Sequence, residues 1–447
     1  MKVSTELGSI RPFAFDSPDR GIAASGDAFR ELGDDVAALC EPGAAPLRVS
    51  ITGVGAASPW RCEADALELA AGAAALPSIF RFRPRSCERA HAFNAVMLVP
   101  TGIDCAIGGH AGDATPAARL LASVCDHLVI HPNVVNASDI NEQSDNCLYV
   151  EGSVICRLLM GAVALRKVRR NRLFVVTEAR EDAEWPVDQV VNSASAARAT
   201  LGASVVEVAV LSRPLSMRME RSASGRATGA IDGLEELFAI LRAARARYDA
   251  VALSTRITAM QNTADMLQQY FRGEGPNPWG GVEAALTHAV SHVLDVPSAH
   301  APTLEEMALR LQDFGQTDPR KAAEAISMSF MFCTLKGLHR APAIVSGHDG
   351  SFDPSLISAE DLSALVIPDG VVGLPTLAAL AQGIPVIAVR GNTNLLQNDL
   401  SSLPFAEGQL LYVESYLEAA GVLSALRAGI DPASVRRPLA RTRVTRR

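Results

Sequence analysis

Residues 367–394, IPDGVVGLPTLAALAQGIPVIAVRGNTN, run from an apolar strand through a glycine loop and a proline-started helix to a second apolar strand and an asparagine-rich loop. Residues 99–136, which open VPTG and close TPAARLLASVCDHLVIHPNVVN, repeat that order. Short strands that are apolar throughout, alternating with helices, are what a parallel sheet buried on both faces requires. The likeness of the two blocks fits a duplicated β-α-β unit or the economy of that unit. Either reading puts polar loops beyond strand ends, where open parallel sheets present ligands.

The same rhythm extends outward from both blocks. Further strands are expected at AVMLVP (95–100), LFVVTE (173–178), SVVEVAVL (204–211), YDAVALST (248–255), APAIVS (341–346) and QLLYVE (409–414). Helices fall between them, among them VDQVVNSASAARATLG, GLEELFAILRAARARY and GGVEAALTHAVSHVL (280–294). Residues 1–90 carry one strand-like run, PLRVSITGVG, and an alanine-rich run at 63–76 that reads as a helix. The expected fold is α/β: two Rossmann-like units with largely parallel sheets facing one cleft, plus a small N-terminal α+β appendage. The expected boundaries are 1–90 for the appendage, 91–300 for the first unit, 301–340 for a helical connection, 341–428 for a smaller second unit and 429–447 for a basic, disordered tail.

With 447 residues, 48% of them apolar, the chain has ample material for more than one core. A net charge of −8 argues against a nucleic-acid partner, which needs clustered cations. No segment reads as a signal peptide or reaches the ~18 uninterrupted apolar residues of a membrane span, so a cytoplasmic protein without a membrane partner is expected. The eight cysteines show no CxxC pair and read as reduced thiols. A homo-oligomer is compatible with all of this.

Candidate chemistry starts at the first glycine loop. Gly108, Gly109 and Gly112 precede Thr115-Pro116, a good helix start, so backbone amides and the helix dipole there could seat an anion. His110 and Asp113 lie inside the loop, and His131 and Asn133 follow the next strand, with Asn136 beyond them. His131 and His110 are candidate general acids or bases, or hydrogen-bonded structural histidines. His288 and His292, four residues apart on one helical face, and His300 after a turn form a candidate divalent-metal set, although no glutamate follows in the zincin manner. Gly280, Gly281 and Glu283 open that helix, Glu283 reading as a helix-start residue or a catalytic acid. Arg226, at the centre of SASGRATG, could clamp a carboxylate or phosphate or sit in a solvated turn. Glu151 and Arg157 read as an internal ion pair, and Cys156, without a neighbouring histidine, makes no nucleophile. Asp369, Gly370, Gly373 and Asn392 should close the far side of the cleft.

The motifs NCLYVEGSVICRLLMG, NPWGGVEAALTH, PSAHAP and FCTLKGLHRAP, with the two blocks above, resemble the uncharacterised bacterial family labelled domain of unknown function 3326, from about residue 94 to about 423. That resemblance implies no activity. A fainter one is to two-domain glycosyltransferases of the GT-B type, whose glycine loop GGHAGDATPAARLL and helix-strand unit GLPTLAALAQGIPVIAV resemble, although Ala379 stands where those enzymes carry an acid.

The expectation is therefore a small-molecule enzyme acting on an anionic metabolite held at the glycine-rich loop. A metal-dependent hydrolase or lyase using His288, His292 and His300 is one alternative, with a divalent ion as cofactor. A non-catalytic metabolite-binding or assembly protein is the other.

Overall fold

The computed structural model describes residues 7–17, 26–40, 43–55, 58–69, 76–110, 112–135, 142–180, 184–258, 263–303, 315–327, 330–442 and 444–445. The fold is mixed α/β with two all-parallel sheets, as the alternating rhythm implies. Six strands build the larger one in the order Leu410–Val413, Val386–Val389, Leu362–Pro368, Asn94–Met97, His127–Ile130 and Cys147–Tyr149. Numbered along the chain, that order is 6-5-4-1-2-3, the Rossmann arrangement. Strand Leu362–Pro368 is buried along its whole length, which is why its sequence shows no polar alternation.

The two similar blocks are thus halves of one sheet, side by side. The likeness to two-domain glycosyltransferases would have set them in opposite domains. Pairing does not follow the boundary expected between units 91–300 and 341–428, because strands from both meet at Asn94–Met97 and Leu362–Pro368. Chain 150–361 is inserted between the halves. It contributes the second parallel sheet, ordered Ser298–His300, Ala250–Ser254, Arg172–Glu178 and Ser204–Leu211. Strand Ala343–Ser346, expected in the second unit, instead pairs antiparallel with Val163–Arg166.

The expected N-terminal appendage is built into the body. Strands Leu7–Ser17, Ala44–Gly55 and Ser58–Leu69 share a seven-stranded sheet with the hairpin Ser216–Arg221 and Ala227–Asp232, and with Val372–Gly373 from the Rossmann half. The run at 63–76, read as a helix, is strand through Leu69, with 70–75 outside the described residues. Cys62, Ala64 and Ala66 turn into the core while Glu63 and Asp65 take Arg226 and Arg48 as partners on the other face. Period-two burial and ion pairing there outweigh the helix propensity of alanine. The tail from 436 is exposed over its described residues. No helix among the described residues is long and apolar enough to cross a membrane.

Helix Gly280–Leu294 lies at the centre, against strand Ala227–Asp232, strand Ser298–His300 and helix Gly152–Leu159. Apolar residues surround it on all sides, the pattern of a buried helix. Asn277 Oδ1 accepts from the amides of Trp279 and Gly280 and so caps its start. At Gly281 the helix backbone touches the strand directly: a Cβ would collide with the Ala227 carbonyl oxygen and the Thr228 amide. Gly281, expected to bind ligand, is therefore a packing residue. Gly281→Ala should lower the unfolding free energy by about 1–3 kcal/mol in urea titrations, the usual cost of forcing atoms into a filled core. An unchanged midpoint would show that the helix is not seated this closely.

Candidate functional site

A cavity of about 140 Å³ lies where the carboxyl ends of the two parallel sheets meet the central helix. Thr101, Gly109 and His110 follow the first strand of the Rossmann half, His131 and Asn133 the second, Glu151 and Gly152 the third. His300, Ala301 and Pro302 come from the end of the Ser298–His300 strand of the other sheet. The helix presents Gly280, Ala284 and His288, four residues apart, with Glu283 and Thr287, also four apart, beside them, so all share one face. Four histidines and three glutamates converge here from segments up to 214 residues apart, His110 to Glu324.

His288 Nδ1 sits 2.5 Å from Glu151 Oε1, a close ion-pair contact whose alignment falls short of a straight hydrogen bond. Glu151 also caps helix Gly152–Leu159, accepting from the Ser153 amide at 2.9 Å and from the Ser153 hydroxyl. Burial by itself would raise its carboxyl, but His288 and the Ser153 donors hold it below its ordinary value. Glu151 is thus ionised and bound to the ring, and Arg157, its expected partner, pairs with Asp295 instead. With Nδ1 committed, the Nε2 of His288 is the ring atom left for the cavity. His131 is arranged the other way. Its Nε2 accepts from the Val99 amide at 3.0 Å, which places its proton on Nδ1, and burial holds the ring at about 4, neutral. It can donate a hydrogen bond, whereas its accepting atom is taken.

Glu283 and His300 form a second pair at 2.9 Å. His300 Nε2 meets the Thr255 hydroxyl at 2.9 Å and accepts from its amide at 3.3 Å, so Nδ1 donates to Glu283 Oε1. His300 thereby orients Glu283, the more exposed of the two. On the far wall, Tyr270 donates to Glu324 Oε2 at 2.8 Å, with His110 Nδ1 at 3.5 Å from the same hydroxyl. Burial pushes Glu324 up to about 7, opposed by the Tyr270 hydrogen bond and supported by Glu283. Lys321, fully buried, donates to the Tyr270 carbonyl at 2.6 Å and lies over its ring. Burial, then Lys321, holds His110 at about 3.

The glycine loop, expected to seat an anion, closes on itself. The Gly108 amide donates to Asp113 Oδ2 at 2.9 Å, that of Gly109 to the Asn133 carbonyl at 2.9 Å, and that of Gly112 to the His110 carbonyl at 2.5 Å. Asp113 already supplies the acidic oxygen, and burial pushes its carboxyl up to about 6. Thr115 is not the cap: Ala114 holds that position, without a side-chain hydrogen bond.

Other expected residues fall elsewhere. His292 is buried one turn further along the helix with Nε2 at 2.8 Å from the Pro77 carbonyl, so the three-histidine set does not assemble. No group of three or more His, Cys, Asp or Glu side chains among the described residues is placed to hold a metal ion. Arg226 is buried, its Nε donating to Glu63 Oε2 at 2.8 Å, rather than lying on a free loop. Asn392 latches the glycine loop through the Ile107 amide and carbonyl, each at 2.8 Å. Asp369 and Gly370 turn toward Arg390 and Asn398, away from the cavity. Gly373 lines a second cavity. Asn136 lies outside the described residues. Glu324 and Tyr270 were not singled out by the sequence, since a glutamate within AAEAI and a tyrosine within MLQQYF look like ordinary helix residues.

Burial holds His292 at about 4 in the folded chain, against about 6.5 for a free ring. Below 6.5 the unfolded chain takes up a proton that the folded one does not, so the stability this neutral ring contributes is lost as pH falls toward 4. The stability difference between wild type and His292→Gln should narrow over that range by up to about 3 kcal/mol in urea titrations. A difference that stays constant with pH would refute a buried, neutral His292.

Comparison with known proteins places this site within a family. No solved structure matches the chain. An uncharacterised lipoprotein of Synechococcus sp. (strain ATCC 27144 / PCC 6301 / SAUG 1402/1) is 36% identical over 348 residues, 76% of this chain and 92% of the relative. Its name overturns the expectation of a cytoplasmic location, which rested on the sequence showing neither a signal peptide nor an apolar span. The model of a protein family of unknown function matches residues 94–436, which include every cavity-lining residue discussed above. The chain belongs to that family, DUF3326.

Proposed function

We propose that the protein is an enzyme that moves protons on a small molecule bound in the cavity between the two parallel sheets. One observation carries this reading: His288 is tied through Nδ1 to the ionised Glu151 and keeps Nε2 for the cavity. A carboxylate behind an imidazole fixes its tautomer and stabilises the cation formed when the ring takes a proton. His288 is the general base. Glu324, pushed up to about 7, keeps its proton over much of the neutral range and is the acid on the opposite wall. Tyr270 holds Glu324 in place, His300 holds Glu283, and the Nδ1–H of His131 orients the substrate. Isomerisation, elimination and hydrolysis all use this equipment.

Incubation of the purified chain with a metabolite extract in deuterium oxide, followed by mass spectrometry, tests the proposal. One small molecule should gain deuterium or be converted, and His288→Gln should slow this by about 10²–10⁴-fold, the usual contribution of a positioned base. A metabolite that binds tightly and stays unchanged would favour a binding protein. Equal turnover by His288→Gln would remove His288 from the chemistry.

A further inference from the structure

A second cavity, of about 130 Å³, adjoins the first and shares with it a wall made of Thr101, His131, Gly152, Ala284 and His288. It opens at the neighbouring strands Asn94–Met97 and Leu362–Pro368, from which strand order runs in opposite directions. Such a switch point is where an open parallel sheet leaves a crevice for a ligand. Most of the lining is aliphatic, with Leu47, Ile79, Leu98, Ile103, Leu374 and Leu396 facing the space.

Two polar features of that lining have donors left over. Arg157 is 6% exposed: its Nη2 donates to Asp295 Oδ1 at 2.5 Å and to Ser346 Oγ at 3.2 Å, while Nη1 is buried with no hydrogen-bond partner. A buried guanidinium N–H without an acceptor is costly, and native structures leave few of them. The second feature is the start of helix Leu374–Gln382, where Gly373 occupies the cap position and no side chain caps the amides. Gly373, Leu374, Pro375 and Thr376 all line the cavity, so the positive end of the helix dipole faces it. Charge limits what can bind. Arg48, Arg157 and Arg226 are matched by Asp65, Asp295 and Glu63, which leaves one donor group and one helix end to receive a single negative charge.

We infer that the switch-point cavity binds an aliphatic monocarboxylate, its carboxylate at Arg157 Nη1 and the Leu374–Gln382 helix start, its chain along the leucine and isoleucine wall. His288 belongs to both cavities, so this molecule is also the substrate class of the proton transfer. That last step rests on the function proposed above, and the binding site does not.

Calorimetric titration of the full chain with the carboxylates from butanoate to octanoate, and with hexanol and hexyl phosphate, tests the inference. Hexanoate should bind about tenfold or more tightly than either hexanol or hexyl phosphate, and Arg157→Gln should weaken hexanoate by a similar factor while sparing hexanol. Failure of every carboxylate to bind, or hexanol binding as tightly as hexanoate, would overturn it. So would unchanged hexanoate affinity in Arg157→Gln, or a preference for hexyl phosphate. The comparison of hexanoate with hexanol on wild-type protein decides the matter even if Arg157→Gln does not fold. Hexanoate binding is read on the wild-type protein without turnover, so its outcome is separate from that of the His288→Gln turnover test. Loss of the proton-transfer reading therefore leaves this site standing, and loss of hexanoate binding leaves the His288 test untouched.

Discussion

Ten of the fifteen residues of helix Gly280–Leu294 are buried, and that burial dictates the rest of the site. A polar group removed from water has to find a partner inside the protein. The helix carries Glu283, Thr287, His288, Ser291 and His292, and their partners come from three separate parts of the chain. Glu151 at the end of the Rossmann sheet takes His288, His300 at the end of the second parallel sheet takes Glu283, and Ser298 takes Ser291. The Pro77 carbonyl takes His292. Satisfying the helix therefore ties both sheets together at their carboxyl ends and gathers ionisable side chains around one space.

The histidines gathered there are unlike one another because their second nitrogens meet different atoms. An amide donor at Nε2 makes His131 a fixed donor through Nδ1, and Thr255 orients the ring of His300 in the same way. His110 is stripped of water next to Lys321. Only His288, among the four, has a carboxylate at Nδ1 and no hydrogen-bond partner at Nε2 among the described residues. Identity of side chain says little about role here. The atom behind each ring decides it, and that atom comes from a distant part of the chain.

Much of the fold was legible in the sequence, because apolar runs such as LSALVIP and the glycine loops before proline-started helices report local structure. Strand order was not, since nothing in 94–149 announces that its sheet is completed by 362–413 across an insertion of about two hundred residues. The helix expected at 63–76 failed for a related reason: alanine and glutamate favour a helix in isolation, whereas Arg48 and Arg226, which hold the strand, are remote in sequence. Within the site, His110, His131, Glu283, His288 and His300 could be picked out by type and position relative to strand ends. Their functions could not. The glycine amides read as an anion seat are consumed by Asp113, Asn133 and His110, and the metal set lost His292 to the Pro77 carbonyl. Glu151 was visible, but its partner was misassigned to Arg157, the nearest cation in sequence.

The account depends most directly on which nitrogen of His288 is free. Nitrogen-15 NMR of histidine-labelled protein, with His288→Gln used to assign its signals, reads this over a pH titration. The account predicts that Nδ1 of His288 keeps its proton throughout while Nε2 gains and loses one, and that Glu151→Gln removes this bias. A ring protonated at Nε2, with a bare Nδ1 in the neutral form, would contradict it.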